Sequence, residues 1–362
     1  MKVLIVFNYP APYKVEFFNE LGKSIDLTVV FEREKSKSRD PNFYSKEQYN
    51  FKHVFLMRGV IGEENSNSSE LIKYIKTNHS SFDIIIMNGY STLTEMRTIH
   101  YMNKHKIKWS LLVNGGVIHK DSLCKKMLKK YLISSANYYL SPSKEVNKYL
   151  IHYGAKEKNI FIYPNSTIHD VDVLVDPLTT HEKDAIRKKY NLSNNKIFIS
   201  SSQFVARKNN MELIKIFAKR EETLLLVGSG KEKQKYLNYI SKNDIGNITI
   251  MPFMNKKELL HLMSGCDGFI TLSKEDIYGH TVNEAMSQGL PVISSNKVMS
   301  AYNLIKNGVN GFIVDIDNIQ EINTSISALN NTMAEAAIES AKNNTIEKMK
   351  SIIINDLEEM AK

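Results

Sequence analysis

Short runs of branched apolar residues recur along the chain, and stretches with helical spacing of apolar residues separate them. In the first half these runs are Lys2–Phe7, Ile25–Phe31, His53–Met57, Asp83–Met87, Lys108–Val113 and Asn159–Tyr163. In the second half they are Lys196–Ser200, Thr223–Val227, Asn247–Met251, Gly268–Leu272, Pro291–Ser294 and Gly311–Val314. Such alternation is typical of parallel strands joined by crossover helices. The sequence therefore predicts an α/β protein with two doubly wound parallel sheets, one in each half.

A linker is predicted over Tyr163–Thr180, a stretch that contains two prolines and has little helical pattern. The predicted domains are residues 1–165 and 166–344. Residues 332–362 have apolar residues at helical spacing, and we expect a last helix at about 345–362 to pack back on the first domain. Folds of this kind bind ligands at the carboxyl ends of their strands, so a cleft between the two sheets is expected.

The composition excludes several classes of protein. Of the 362 residues, 42% are hydrophobic and 24% are charged, which is close to the globular average and unlike a disordered chain. The two cysteines, Cys124 and Cys266, match neither a disulfide framework nor a metal-binding spacing. No run approaches the roughly 20 apolar residues that a membrane span needs, and the apolar run after Lys2 is too short for a signal peptide. We therefore expect a cytoplasmic protein.

Positive charge is concentrated in the first half of the chain. Residues 1–165 contain 25 Lys and Arg against 15 Asp and Glu, and within 97–130 nine basic residues accompany one acid, Asp121. In 121–133 lysines stand beside apolar residues at helical spacing. This pattern predicts either a solvated surface helix or a helix that docks on anionic lipid headgroups. No nucleic-acid motif accompanies the charge, so a nucleic-acid partner is not expected.

The stretch Thr271–Ser294 carries the most chemical information. An apolar strand ends there in an acidic loop, and a helix opens near Thr281. Gly279 allows close backbone approach to a ligand, and the N–H groups of a helix start favour an anion such as phosphate. Asp276 and Glu284 flank this position, and carboxylates accept hydrogen bonds from sugar hydroxyls. In the alternative interpretation, Asp276 is an ordinary turn residue, and Glu284 is a first-turn acid that the helix dipole favours.

The segment DIYGHTVNE has the form Asp–x7–Glu. With SKEDIYGHTVNEAMSQGLPVIS around it, it resembles the E–x7–E region of retaining GT-B glycosyltransferases of glycosyltransferase family 4, which includes bacterial polysaccharide and lipopolysaccharide enzymes. Residues 204–214, 224–236, 251–273 and 304–314 agree with that family in order and spacing. The resemblance implies the GT-B fold, in which two Rossmann-like domains face each other across a cleft. The first domain would bind the acceptor, and the second would bind the nucleotide-sugar donor.

The resemblance also implies roles for individual residues. Glu284 would hold the nucleotide ribose, Asp276 the transferred sugar and Lys208 the diphosphate. Gln203 stands where relatives carry an arginine, for which Arg207 is a nearby substitute, and Asp276 stands where they carry glutamate. The other expected donor contacts are Gly228, Tyr278, Gly279, His280, Thr281 and Val282. The expected acceptor contacts are Asn8, Tyr13, Asn114 and His119.

The implied reaction is transfer from a nucleotide-diphosphate sugar with retention of anomeric configuration, without an essential metal or other cofactor. The DxD patterns Asp170–Asp172 and Asp315–Asp317 lie in the linker and in a loop after a strand, so no metal site is predicted from them. The implied acceptor is a lipid-linked glycan or oligosaccharide in capsule, O-antigen or exopolysaccharide biosynthesis. The basic segment 97–130 would then hold the protein on the inner face of the cell membrane.

Two other functions are compatible with the same fold. A nucleotide-sugar 2-epimerase would need catalytic carboxylates in the first domain, and the sequence identifies none there. The other is a non-catalytic sugar-binding subunit. Gln203 and Asp276 are compatible with it, because both differ from the residues usual in the family.

Overall fold

The computed structural model describes residues 1–37, 48–62, 67–193 and 195–362. Contacts divide the chain into two compact units, Met1–Thr167 together with Ile346–Lys362, and Ile168–Thr345. Over the described residues, none of the helices combines the length and apolar character that crossing a bilayer requires.

The first unit is built on a seven-stranded sheet in which every paired neighbour is parallel. Its strands are β1 (Lys2–Phe7), β2 (Asp26–Ser36), β3 (Lys52–Ile61), β4 (Ile84–Met87), β5 (Ser110–Leu112), β6 (Tyr138–Ser141) and β7 (Ile160–Ile162). The spatial order is β3-β2-β1-β4-β5-β6-β7, so the winding direction reverses between β1 and β4. This arrangement confirms the predicted doubly wound sheet and adds one strand, β6, that the sequence pattern did not predict.

Helices connect these strands in sequence. They are α1 (Pro12–Gly22), α2 (Glu70–Asn78), α3 (Leu93–Lys104), α4 (Leu123–Ser134) and α5 (Lys144–His152). The central strands are almost wholly apolar and buried, as in β1, where Val3 to Val6 are at most 1% exposed. Strands covered by helices on both faces need such continuous apolar runs, and burying them is the main source of the unit's stability.

The second unit contains a six-stranded sheet, also parallel throughout, in the order β10-β9-β8-β11-β12-β13. Its strands are β8 (Ile197–Ser201), β9 (Thr223–Val227), β10 (Ile248–Met251), β11 (Gly268–Thr271), β12 (Val292–Ser295) and β13 (Gly311–Val314). Its helices are α6 (Thr180–Lys189), α7 (Asn210–Phe217), α8 (Lys233–Lys242), α9 (Lys256–Ser264), α10 (His280–Ser287), α11 (Ala301–Leu304), α12 (Ile319–Ala328) and α13 (Ala334–Lys342). The winding reverses between β8 and β11, and this reversal places the loops after those two strands side by side.

The last helix, α14 (Ile346–Ala361), returns to the first unit and packs on α1 and β4. Its buried residues recur every three or four positions: Ile346, Met349, Ile353, Leu357 and Met360. This spacing puts them on one face of the helix, which therefore completes the first unit's core.

Candidate active site

The loops that follow β8 and β9 pack closely at the carboxyl edge of the second sheet. Gly228 has a φ of +150°, and a Cβ added there would lie 2.0 Å from the backbone oxygen of Ser202. The amide of Phe204 donates a 2.7 Å hydrogen bond to the backbone oxygen of Ser229. Gly228 therefore permits backbone-to-backbone packing that no side chain would allow.

Lys208 and Asp276 form an ion pair at this edge, although 68 positions separate them in the chain. Lys208 ends a short 3-10 turn after β8, and Asp276 lies in the loop after β11. The same two loops are joined by a 2.8 Å hydrogen bond from the Lys274 amide to the Arg207 oxygen, and by a 3.2 Å bond from Arg207 Nη1 to the Glu275 oxygen. Lys208 and Asp276, both predicted to contact the donor, are thus in direct contact with each other.

The start of α10 is held by the segment that follows β12. Gly279 precedes the helix with a φ of +91°, and a Cβ there would lie 2.4 Å from Val298 Cγ1. Ser300 donates through Oγ to the Gly279 oxygen (2.9 Å) and through its amide to the Tyr278 oxygen (2.8 Å). Val298 and Ser300 were not predicted from the sequence. The signal that was available is that they follow a strand adjacent to β11.

The carboxylate of Asp276 lies beside the start of α10. A Cβ built on Gly279 would be 3.5 Å from Asp276 Oδ2. The backbone of Asp276 is fixed by hydrogen bonds with Lys297 (3.0 Å) and Met299 (3.3 Å). Backbone N–H groups at a helix start and a lysine ammonium both favour negative charge. The second unit thus has a position suited to an anion, where the Asp276 carboxylate now lies.

The other residues expected to contact the donor differ in how they could do so. Gln203 is exposed on the loop after β8, and Thr281 and Glu284 are half-buried on α10. Tyr278 is 4% exposed, with its ring centroid 4.9 Å from that of His280. Val282 is fully buried in the apolar core of the unit, so only its backbone is suited to meeting a ligand.

The residues expected to contact the acceptor belong to the first unit. Asn8 follows β1, and its Oδ1 accepts a 2.8 Å hydrogen bond from the Tyr9 amide. Asn114 follows β5 and donates a 3.3 Å hydrogen bond to Asn88 Oδ1. Tyr13 is half-buried in the first turn of α1, and His119 is exposed in the loop before α4. Asn8 and Asn114 thus lie at the carboxyl edge of the first sheet, whereas His119 lies farther along its loop.

A buried lysine at the start of α1 was not identified from the sequence. Lys14 is 3% exposed, and its Nζ donates a 3.1 Å hydrogen bond to Asn165 Oδ1. Burial lowers the pKa of Lys14 to about 7. Among the described residues, Asn165 Nδ2 is buried without a hydrogen-bond partner. The residues around Lys14 form a predominantly apolar helix pattern, and this pattern does not predict that the ammonium group is buried.

Two carboxylates also lie buried in the first unit. Thr92 donates a 2.7 Å hydrogen bond to Glu32, and Glu95 accepts one of 3.0 Å from the Thr92 amide at the start of α3. Burial and the neighbouring Glu32 charge raise the pKa of Glu95 to about 8. Both side chains are at most 1% exposed, so this pair supports the helix cap and is shielded from a substrate.

The two DxD patterns serve local turns. Asp172 Oδ2 accepts from the His169 amide at 2.9 Å, and Asp315 Oδ1 accepts from the Asp317 amide at 3.1 Å. Over the part of the chain that the structure describes, no group of three or more His, Cys, Asp or Glu side chains is arranged to hold a metal ion.

The basic segment combines exposed apolar residues with a fixed acid. On α4, Leu123 is 74% and Met127 63% exposed. Asp121 pairs with Lys129 (2.7 Å) and Lys125 (3.2 Å), and its pKa is lowered by the Lys129 ammonium and by a hydrogen bond from Tyr153. Two further α4 lysines, 126 and 130, are exposed and have no carboxylate partner among the described residues.

Comparison with known proteins defines the class of fold. Residues 182–344 match the family model described as Glycosyl transferases group 1. The crystal structure of HepE from Anabaena, in complex with UDP, matches with a TM-score of 0.78 at 18% identity, covering 99% of this chain and 100% of HepE. Sucrose-phosphate synthase from Thermosynechococcus elongatus matches with a TM-score of 0.77 at 14% identity, covering 99% of both chains. The two parallel-sheet units therefore have the GT-B glycosyltransferase fold.

A relative found by sequence is similar over most of the chain. The O-antigen biosynthesis glycosyltransferase WclY of Escherichia coli is 24% identical over 295 residues, which cover 78% of this chain and 79% of WclY. The similarity thus extends beyond the second unit.

Proposed function

We propose that this protein is a retaining glycosyltransferase that moves a sugar from a nucleotide-diphosphate sugar to a glycan acceptor, a lipid-linked glycan or oligosaccharide of capsule, O-antigen or exopolysaccharide biosynthesis. The observation that carries the proposal is the assembly of Lys208, Asp276 and the Gly279 helix start at one edge of the second sheet. The match of 182–344 to Glycosyl transferases group 1 and the similarity to WclY support it.

The proposed step exchanges one bond at the anomeric carbon for another. The bond from the anomeric carbon to the phosphate oxygen breaks, a bond to the acceptor oxygen forms on the same face, and the acceptor proton passes to the departing phosphate. Lys208 and the amides at the start of α10 stabilise the diphosphate as its negative charge develops. Glu284 accepts hydrogen bonds from the ribose and Asp276 from the sugar. No metal or other cofactor takes part in the proposed step.

A donor panel tests the function. Purified protein is incubated with UDP-, GDP- and ADP-sugars and a lipid-linked oligosaccharide, and released nucleoside diphosphate and product are measured with and without EDTA. We expect acceptor-dependent release, unchanged by EDTA, and a product with the donor's anomeric configuration by NMR. An isomerised donor would identify an epimerase, and binding without turnover a sugar-binding subunit.

Two variants test the site. Lys208→Ala and Glu284→Ala should each lose more than tenfold in activity, because each removes a group that contacts the donor. The exposed Lys242→Ala is a matched control in the same unit. Circular dichroism would verify that all three fold. Near wild-type rates in both site variants would contradict this assignment.

We further propose that the basic segment 97–130 holds the protein on the anionic inner face of the cell membrane. Exposed apolar residues on α4 lie beside the exposed Lys126 and Lys130, and this combination matches the chemistry of a phospholipid interface. The segment also forms part of a groove, which is lined by Ile72, Met96, Arg97, His100, Tyr101, Lys104, His105, Leu128, Tyr131 and Leu132. Its mixed apolar and basic lining continues the same surface.

Vesicle flotation tests this attachment. Lys126→Gln/Lys130→Gln should weaken binding to vesicles of phosphatidylglycerol and phosphatidylethanolamine by about thirtyfold at low salt, since each lysine near an anionic surface contributes about 1 kcal/mol. The matched control is Lys242→Gln/Lys257→Gln, which removes two exposed lysines from the second unit. Equal flotation of both double variants would contradict the attachment.

A further inference from the structure

The Asp276 carboxylate lies at the position that the second unit makes suited to an anion. It pairs with the Lys208 ammonium and is next to the Gly279 start of α10, the two features that favour an anion. The side chains of Lys208 and Asp276 are 13% and 16% exposed, so a ligand can reach the pair from solvent. Without a ligand, the Asp276 carboxylate therefore neutralises the positive charge of Lys208.

We propose that Asp276 acts as an internal counter-ion that competes with the donor's diphosphate for Lys208. This inference rests on the proposed function and adds a positioning role for Asp276 before the sugar is bound. Donor entry requires Lys208 to exchange the carboxylate for a phosphate oxygen. When the nucleoside diphosphate leaves, Asp276 takes Lys208 back, which favours product release.

The surrounding contacts restrict how this exchange can take place. The backbone of Asp276 is tied to Lys297 and Met299, and the two loops remain joined by the Lys274–Arg207 hydrogen bond. Exchange therefore needs rotation of the Lys208 and Asp276 side chains and no rearrangement of the backbone. A carboxylate this close to an arriving diphosphate also repels it, because like charges a few ångströms apart disfavour each other even in a polar medium.

Binding of UDP and of inorganic pyrophosphate to Asp276→Asn tests the competition. Removal of the carboxylate frees Lys208 and removes the repulsion, so we expect both probes to bind about fivefold to tenfold more tightly than to wild type. The matched control is Glu275→Gln, which makes the same charge change at the adjacent, exposed residue. We expect it to change the affinity by less than about twofold. Isothermal titration calorimetry gives the dissociation constants.

Three outcomes separate the inference from the function on which it rests. If wild type binds UDP and Asp276→Asn binds it equally or more weakly, the counter-ion role is wrong while the donor site stands. An equal gain in Glu275→Gln would assign the effect to the general field and also overturn the inference. If wild type binds none of UDP, GDP, ADP or pyrophosphate, both proposals are wrong. Lys208→Gln provides a second test, because it should lower the gain from Asp276→Asn when the two are combined.

Discussion

Several residues of this protein make contacts that the sequence around them does not predict. Lys208 and Asp276 meet across 68 positions, and Lys14 meets Asn165 across 151. In both cases the contact depends on strand order, since each partner follows a different strand of its sheet. The family resemblance predicted roles for Lys208, Asp276 and Glu284, but no local pattern could place the first two in one ion pair.

The buried ammonium of Lys14 predicts an unusual pH dependence of stability. Its pKa in the folded protein, about 7, lies below the ordinary lysine value of 10.5. The unfolded chain therefore binds more protons between these values, and wild-type stability should rise with pH across that window. Lys14→Met removes this contribution, so its free energy of unfolding relative to wild type should fall from pH 7 to pH 10, by up to about 1.4 kcal/mol per pH unit.

Urea unfolding at pH 7, 8.5 and 10 measures this difference. Lys23→Met, at an exposed position just after the same helix, controls for the loss of one positive charge. A difference between Lys14→Met and wild type that stays constant over the three pH values would contradict a lowered pKa for Lys14.

At the scale of elements, most strands were predictable from the sequence and one was not. Three predicted runs, Lys2–Phe7, Thr223–Val227 and Gly311–Val314, coincide with β1, β9 and β13. β6 was missed because Tyr138–Ser141 is only four residues long and mixes aromatic and polar residues. Its place in the sheet comes from pairing with β5 and β7, which is information that no short window contains.

The turn before α10 yields a prediction about the candidate site. Gly279 combines a left-handed φ of +91° with a close approach to Val298, so Gly279→Ala should lower the free energy of unfolding by about 2 kcal/mol or more. It should also weaken UDP binding, because the start of α10 must shift. Gly308→Ala is the matched control, since Gly308 has a φ of +75° but no atom within 4 Å of an added Cβ.

Chemical denaturation and calorimetry compare these two glycine variants. Gly308→Ala should lose only the backbone contribution, about 1 kcal/mol, and retain UDP binding. If the two variants were equally stable and bound UDP equally well, the contact with Val298 would not be what constrains this turn.

At the scale of the whole molecule, α14 contributes to the stability of the first unit, although it follows the second unit in the chain. Leu357 is fully buried in the first unit's core. Leu357→Ala should destabilise that unit by about 2–5 kcal/mol, the usual cost of such a cavity. The exposed Glu358→Ala is a control on the same helix.

Hydrogen exchange followed by mass spectrometry locates the effect. Protection should fall in α1, β4 and α14 and stay unchanged in β8, β9 and β11, because α1 and β4, on which α14 packs, belong to the first unit. Equal loss of protection in both sheets would contradict independent cores.

The return of α14 also has a consequence for synthesis. The second unit is one continuous stretch, Ile168–Thr345, and all its strands and helices are synthesised before α14. The surface of α1 that α14 covers stays open throughout that time, although α1 itself was made early. Nascent chains should therefore engage a chaperone through α1 until α14 has been made and has left the ribosome.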